Sequence, residues 1–166
     1  MSSEVVAADE TAPGGLANLL VVLADNKYYL GRHLSEWSVG APVLESAVAA
    51  AAIAQQHMGQ ARILYPLLED LDAPIAAGPP EESGRERPYR VTFLDGPFPS
   101  WPHAVAALGI IDPALNVLLR SLEATRHEGL ARRLARMLEE EHVQTRFSHG
   151  RIRELVRFPD GRRLLQ

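Results

Sequence analysis

The stretch "ARRLARMLEEEHVQTRFSHGRIREL", Ala131 to Leu155, decides the fold. Leu134, Met137, Glu141, Gln144, Ser148, Ile152 and Leu155 recur at steps of three and four, the period of one helix face. That seam is apolar at its two ends and polar in its middle. A helix of this kind, about His127 to Arg157, buries the face against other helices only if they bring polar groups to the same level.

Working back along the chain, the same pattern returns three times. A helix from about Pro102 to Ala124 places Leu108, Asp112, Leu115, Leu119 and Leu122 on one face, and Pro113 inside it predicts a kink. Before it, a helix from about Val43 to Leu71 aligns Ile53, His57, Gln60, Leu64 and Leu67, and its alanine-rich run "ESAVAAAAIAQQ" allows a neighbour to approach closely. The first helix, about Leu16 to Val39, carries Leu19, Leu23, Leu30, Leu34 and Trp37 and ends at Gly40-Ala41-Pro42. Its first and third connections are short. The second, "DAPIAAGPPEESGRERPYRVTFLDGPFPSWP", is long and crowded with Pro, Gly and charge. A loop of that length needs an architectural reason. A ferritin-like four-helix bundle with one crossover between helices 2 and 3 supplies it. "YRVTF" is the single candidate strand, so the fold class is all-α. Residues 1–15 read as a flexible arm, 16–158 as the bundle and 159–166 as a tail.

Composition narrows the function. The 166 residues suit one domain with a real core, and 46% apolar against 23% charged residues argues for a folded chain. The absence of cysteine excludes disulfides, thiolate metal sites and a cysteine nucleophile, leaving His, Asp and Glu as strong ligands. The N-terminus lacks a signal-peptide pattern, and the apolar run Ala47 to Ala54 is too short to span a bilayer, so a cytoplasmic protein without membrane contact is expected. Residues 126–166 carry ten Arg against six acids, a balance of +4, while the rest of the chain carries seven basic residues against fifteen acids, −8. The Arg residues alternate with a Glu run and lack aromatic companions, which argues against nucleic acid. No Gly-rich phosphate loop or serine triad pattern is present.

Each seam carries polar residues that could share one level: Glu36 on the first helix, His57 and Gln60 on the second, Asp112 on the third, Glu141 and Gln144 on the fourth. A di-iron bundle takes one carboxylate from each of two helices and a Glu-x-x-His pair from each of the other two. Here Gln144 follows Glu141 at the third position, and the histidine has moved to His142, roughly 100° round the helix. A Gln side chain offers only a neutral amide oxygen, so Gln60 and Gln144 each remove the nitrogen donor of a pair. The favoured reading is a metal-free, hydrogen-bonded layer. The alternatives are one iron or manganese ion held by Glu36, His57, Asp112 and Glu141, or polarity unrelated to any site.

The segments "YYLGRHLSEWSVGAPVLE", "AIAQQHMGQARILYPLLED" and "RFSHGRIREL" closely resemble the non-catalytic ferritin-like subunit of bacterial phenylacetyl-CoA epoxidase, over roughly residues 27–157. That resemblance implies that Glu36, His57, Gln60, Asp112, Glu141 and Gln144 stand at the six ligand positions of a vestigial di-iron layer, with no catalytic residue and no cofactor. It implies a structural subunit of a monooxygenase of phenylacetate catabolism. The expected partner is a catalytic di-iron paralogue, or a second copy in a homo-oligomer through the Ala47–Ala54 face. Acyl-CoA contact is expected only within a complex, and Arg132, Arg133, Arg136, Arg146 and Arg151 are candidates for meeting its phosphates or an acidic partner. The competing function is a ferritin-like metal-binding protein or oxidoreductase with a residual mononuclear or dinuclear site.

Overall fold

The computed structural model describes residues 13–71, 73–122 and 128–164. Four long helices dominate: α1 (Pro13–Gly40), α2 (Leu44–Leu64), α5 (Trp101–Ser121) and α6 (Glu128–Leu155). Three short ones, α3 (Pro66–Asp70), α4 (Pro80–Ser83) and α7 (Pro159–Leu164), accompany them among the described residues. The fold is all-helical: among the described residues there is no strand, and "YRVTF" runs into a 3-10 turn at Thr92–Leu94.

The boundaries differ from the sequence expectation where proline acts. α1 is helical from Pro13, the first described residue, which lies inside the expected arm. The second helix does not run on to Leu71. Pro66 lacks an amide hydrogen, so α2 stops at Leu64 and α3 restarts with Pro66 in its first turn. α5, by contrast, runs unbroken from Trp101 to Ser121 through Pro113.

α1 packs against α2 and α5, and α6 against α5 and α2, so every long helix has two of the others as neighbours. α1 and α2 are antiparallel and close. A Cβ added at Gly31 would lie 2.8 Å from the Ala54 carbonyl oxygen and 3.1 Å from His57 Cβ, so only glycine fits there. The Ala47–Ala54 segment spends its small side chains on this contact: Ala50 and Ala54 are buried in the core with Leu30 and Leu34.

The core has two apolar parts. One joins Leu20, Leu23 and Ala24 of α1 to Ala61 and Leu64 of α2, Leu115 and Leu119 of α5, and Leu134, Met137 and Leu138 of α6. The other joins Leu30 and Leu34 to Ala50 and Ile53, Ala104 to Leu108 on α5, and Phe147 and Ile152 on α6. The helical spacing of these positions is what the sequence pattern displayed. α5 is long and apolar enough, by length and composition alone, to cross a membrane, and half of its most apolar stretch is buried against its neighbours.

The long connection between α3 and α5 is strapped to α1 by side chains rather than by a sheet. Asp25, fully buried, accepts two bonds from the Arg85 guanidinium (2.8 and 2.6 Å), one from Tyr65 Oη–H (2.8 Å) and one from the Tyr89 amide (2.7 Å). Asn26 donates to the Tyr89 carbonyl (3.0 Å) and accepts from the Val91 amide (2.9 Å). Further along α1, Tyr29 and Arg32 both donate to Glu81, and His33 Nε2 lies 3.0 Å from the Leu94 carbonyl. A connection with little regular structure thereby has the Tyr89 amide and carbonyl and the Val91 amide satisfied by α1 side chains.

Candidate functional site

The two apolar parts are separated by a polar layer, and each long helix contributes to it between its contributions to the two. On α1 the gap between Ala24 and Tyr29 holds Asp25, Asn26 and Lys27; on α2 that between Ala54 and Ala61 holds His57 and Gln60. On α5 it holds Asp112, with Asn116 one turn on, and on α6 it holds Gln144. His57, Gln60, Asp112 and Gln144 are each at most 1% exposed.

Lys27 centres the layer and was not foreseen. It is fully buried, and its ammonium donates to Asp112 Oδ1 at 2.7 Å and to Asn116 Oδ1 at 3.1 Å. His57 Nε2 lies 3.7 Å from the same Asp112 oxygen. Removing an ammonium from water costs several kcal/mol unless an opposite charge and acceptors replace the solvent. Asp112 and Asn116, one helical turn apart on α5, do that. The signal was present in the sequence: Leu20, Leu23, Lys27, Leu30 and Leu34 step by three and four, and all five are fully buried.

Glu36 does not belong to the layer. It is exposed, because it lies nine residues beyond Lys27, which is roughly half a turn round the helix and roughly 13 Å along it. The α1 position that faces Asp112 is Lys27, where the expectation placed a carboxylate. The side chains of Glu141, Glu140 and His142 lie outside the described residues. Among the described residues no group of three His, Asp or Glu is arranged to hold a metal.

The donor chemistry does not fit a di-iron centre. Apart from Asp25, which the Arg85 guanidinium already holds, the described layer offers the Asp112 carboxylate, one imidazole, neutral amides and a cation, whereas two bridged irons need several carboxylates and two imidazoles. The Lys27 ammonium sits against the carboxylate that a metal would use. Both amide atoms of Gln144, and Asp112 Oδ2, have no hydrogen-bond partner among the described residues, so the layer has more polar capacity than the ammonium uses.

Other candidates have local explanations. Arg133, Arg136 and Arg146 are exposed, with Arg133 4.0 Å from Asp70, while Arg151 pairs with Glu154 at 2.8 Å and lies over the Phe147 ring. The Arg132 side chain lies outside the described residues. Trp37 and Trp101 pack on each other with ring centres 5.7 Å apart, and His103 meets Ser100 at 2.7 Å at the start of α5. An open groove of about 410 Å³ between α1, α5 and the strap is lined by Val22, Val91, Phe93, Ile110, Ala114 and Leu118, among others. Among the described residues no titratable side chain lines it, so they bring no acid–base chemistry to it.

The strap also sets the protonation of the residues it covers. Burial, reinforced by the Asp25 carboxylate it donates to, pushes the Tyr65 phenol far above its usual value of 10.0. Burial and the bond to Glu81 raise Tyr29 to about 12. For Arg85, burial opposes the charge, but Asp25 outweighs it and the guanidinium is held more firmly protonated.

No curated protein matches the chain in sequence. A family model does, across residues 3–159, and it spans α1 through α6 together with the polar layer and the strap. The chain belongs to the phenylacetic acid catabolic protein family.

Proposed function

We propose that the chain is a metal-free structural subunit of a phenylacetyl-CoA monooxygenase-like assembly in the cytoplasm, a ferritin-like four-helix bundle that pairs with a catalytic di-iron paralogue or with itself. One observation carries the reading: on α1 the buried group facing Asp112 is the Lys27 ammonium, at 2.7 Å. An ammonium binds no metal and repels one. Gln60 and Gln144 remove the imidazoles that would complete two Glu-x-x-His pairs, so oxygen activation falls to the partner.

On this reading the chain's work is to be a rigid surface. The ring of neighbouring helices and the long connection strapped to α1 support the bundle with one crossover. Leu44 and Val48 on α2, and Ile110, Val117 and Leu118 on α5, are apolar and exposed, two separate patches either of which suits cover by another bundle. Co-expression with a paralogue that keeps both Glu-x-x-His pairs is expected to give a complex on size exclusion whose iron resides in the paralogue. Purification from cells supplied with iron, manganese and zinc is expected to give a metal-free chain. Stoichiometric metal in the isolated chain would overturn the reading, and so would the absence of any complex or self-association.

A further inference from the structure

We propose, resting on the metal-free reading, that Lys27 is a tethered substitute for a metal ion: its ammonium supplies the one positive charge that the Asp112, Asn116 and His57 cluster requires, and exchanging it for a carboxylate turns the layer into a divalent-cation site. Three observations meet here. Lys27 is among the largest fully buried side chains of the molecule, at a seam position where leucine stands one step before and one step after. Its partners include a carboxylate oxygen at 2.7 Å and an amide oxygen at 3.1 Å, with an imidazole nitrogen 3.7 Å from that carboxylate oxygen. These are oxygen and nitrogen donors of the kind that first-row divalent ions take.

The third observation is the surplus of polar capacity. Asp112 Oδ2 and both amide atoms of Gln144, all buried, have no hydrogen-bond partner among the described residues. An ammonium has only three hydrogens to give. An ion with a larger coordination demand draws on such groups directly or through its own water ligands. The layer thus keeps a cation's surroundings while the cation comes from the chain itself. In Lys27→Glu the described layer sets a new buried carboxylate against Asp112 and loses the ammonium between them, a combination that is strongly unfavourable unless a cation enters.

Cobalt(II) is the probe, because its visible absorption reports nitrogen and oxygen ligands. The wild-type chain is expected to take up none. Lys27→Glu is expected to bind one cobalt per chain with visible bands, and to melt at least 10 °C higher with cobalt than with a chelator. Lys27→Glu combined with Asp112→Asn is expected to lose the uptake. A Lys27→Glu chain that takes up no cobalt, whether it folds or stays unfolded with the ion present, overturns the proposal. Retention of uptake in the double variant does so as well, by locating the ion elsewhere. Cobalt bound stoichiometrically by the wild type would instead sink the metal-free reading, a result distinct from failure of the variant.

Discussion

Asp25→Ala should be the most damaging single change in the strap. The substitution leaves the Arg85 guanidinium, whose side chain is only 9% exposed, without its carboxylate, and strips acceptors from Tyr65 Oη–H and the Tyr89 amide. Breaking a buried ion pair from one side costs about 3–5 kcal/mol. The connection can partly lift to let water reach Arg85, so about 4 kcal/mol is the working figure. With an unfolding entropy of about 2.1 cal/mol/K per residue, the chain gains roughly 0.35 kcal/mol/K at its midpoint, and Tm falls by about 11 °C. Thermal unfolding by circular dichroism measures the shift, and trypsin cleavage at Arg85 and Arg90 reports whether the connection has come off α1. A cycle with Arg85→Met should show coupling of at least about 2 kcal/mol, since each partner is strained chiefly by loss of the other. A loss below about 1 kcal/mol for Asp25→Ala, or additive effects in the cycle, would refute the view that the strap rests on this pair.

Gly31→Ala should destabilise by about 1–3 kcal/mol, because its Cβ would stand 2.8 Å from the Ala54 carbonyl and force α1 from α2. Gly59→Ala, on α2 with nothing within 4 Å of the new Cβ, should stabilise by about 0.5–1 kcal/mol, and denaturant midpoints compare the two. Tyr65 has its folded pKa raised above the unfolded value of 10.0, so its contribution is fully present below pH 10 and is lost as the pH rises beyond it. Tyr29 adds the same sign between pH 10 and about 12. Wild-type Tm should therefore drop above pH 10, and Tyr65→Phe should flatten that drop. Ile110→Asp with Val117→Asp, both on exposed positions of α5, should leave Tm near wild type and reduce pairing with the paralogue or with a second copy, as read by size exclusion.

The sequence by itself determined the all-helical class and the buried seams of α2 and α5, while on α1 the buried seam runs through Leu20 and Lys27, with Leu19 only half-buried. Ile53, His57, Gln60, Leu64 and Leu67 are all buried, as are Leu108, Asp112, Leu115, Leu119 and Leu122. A period of three and four fixes which face turns inward, whatever that face meets. The missing imidazoles were equally legible, because side-chain chemistry is a property of the residue. What the period does not fix is which levels of different helices coincide, since that depends on hairpin registers and on where helices stop. Glu36 was placed in the layer by its acidic character and sequence resemblance, although Leu34 and Trp37 flank it on the inward face. A lone lysine on a helix is normally solvated, and the carboxylate of Asp112, 85 residues away, helps make the burial of Lys27 favourable. The strap lay beyond sequence reasoning for the same reason. Asp25 and Asn26 bind a segment 60 to 65 residues further on, through contacts that no local pattern encodes and that exist only once α1 has packed.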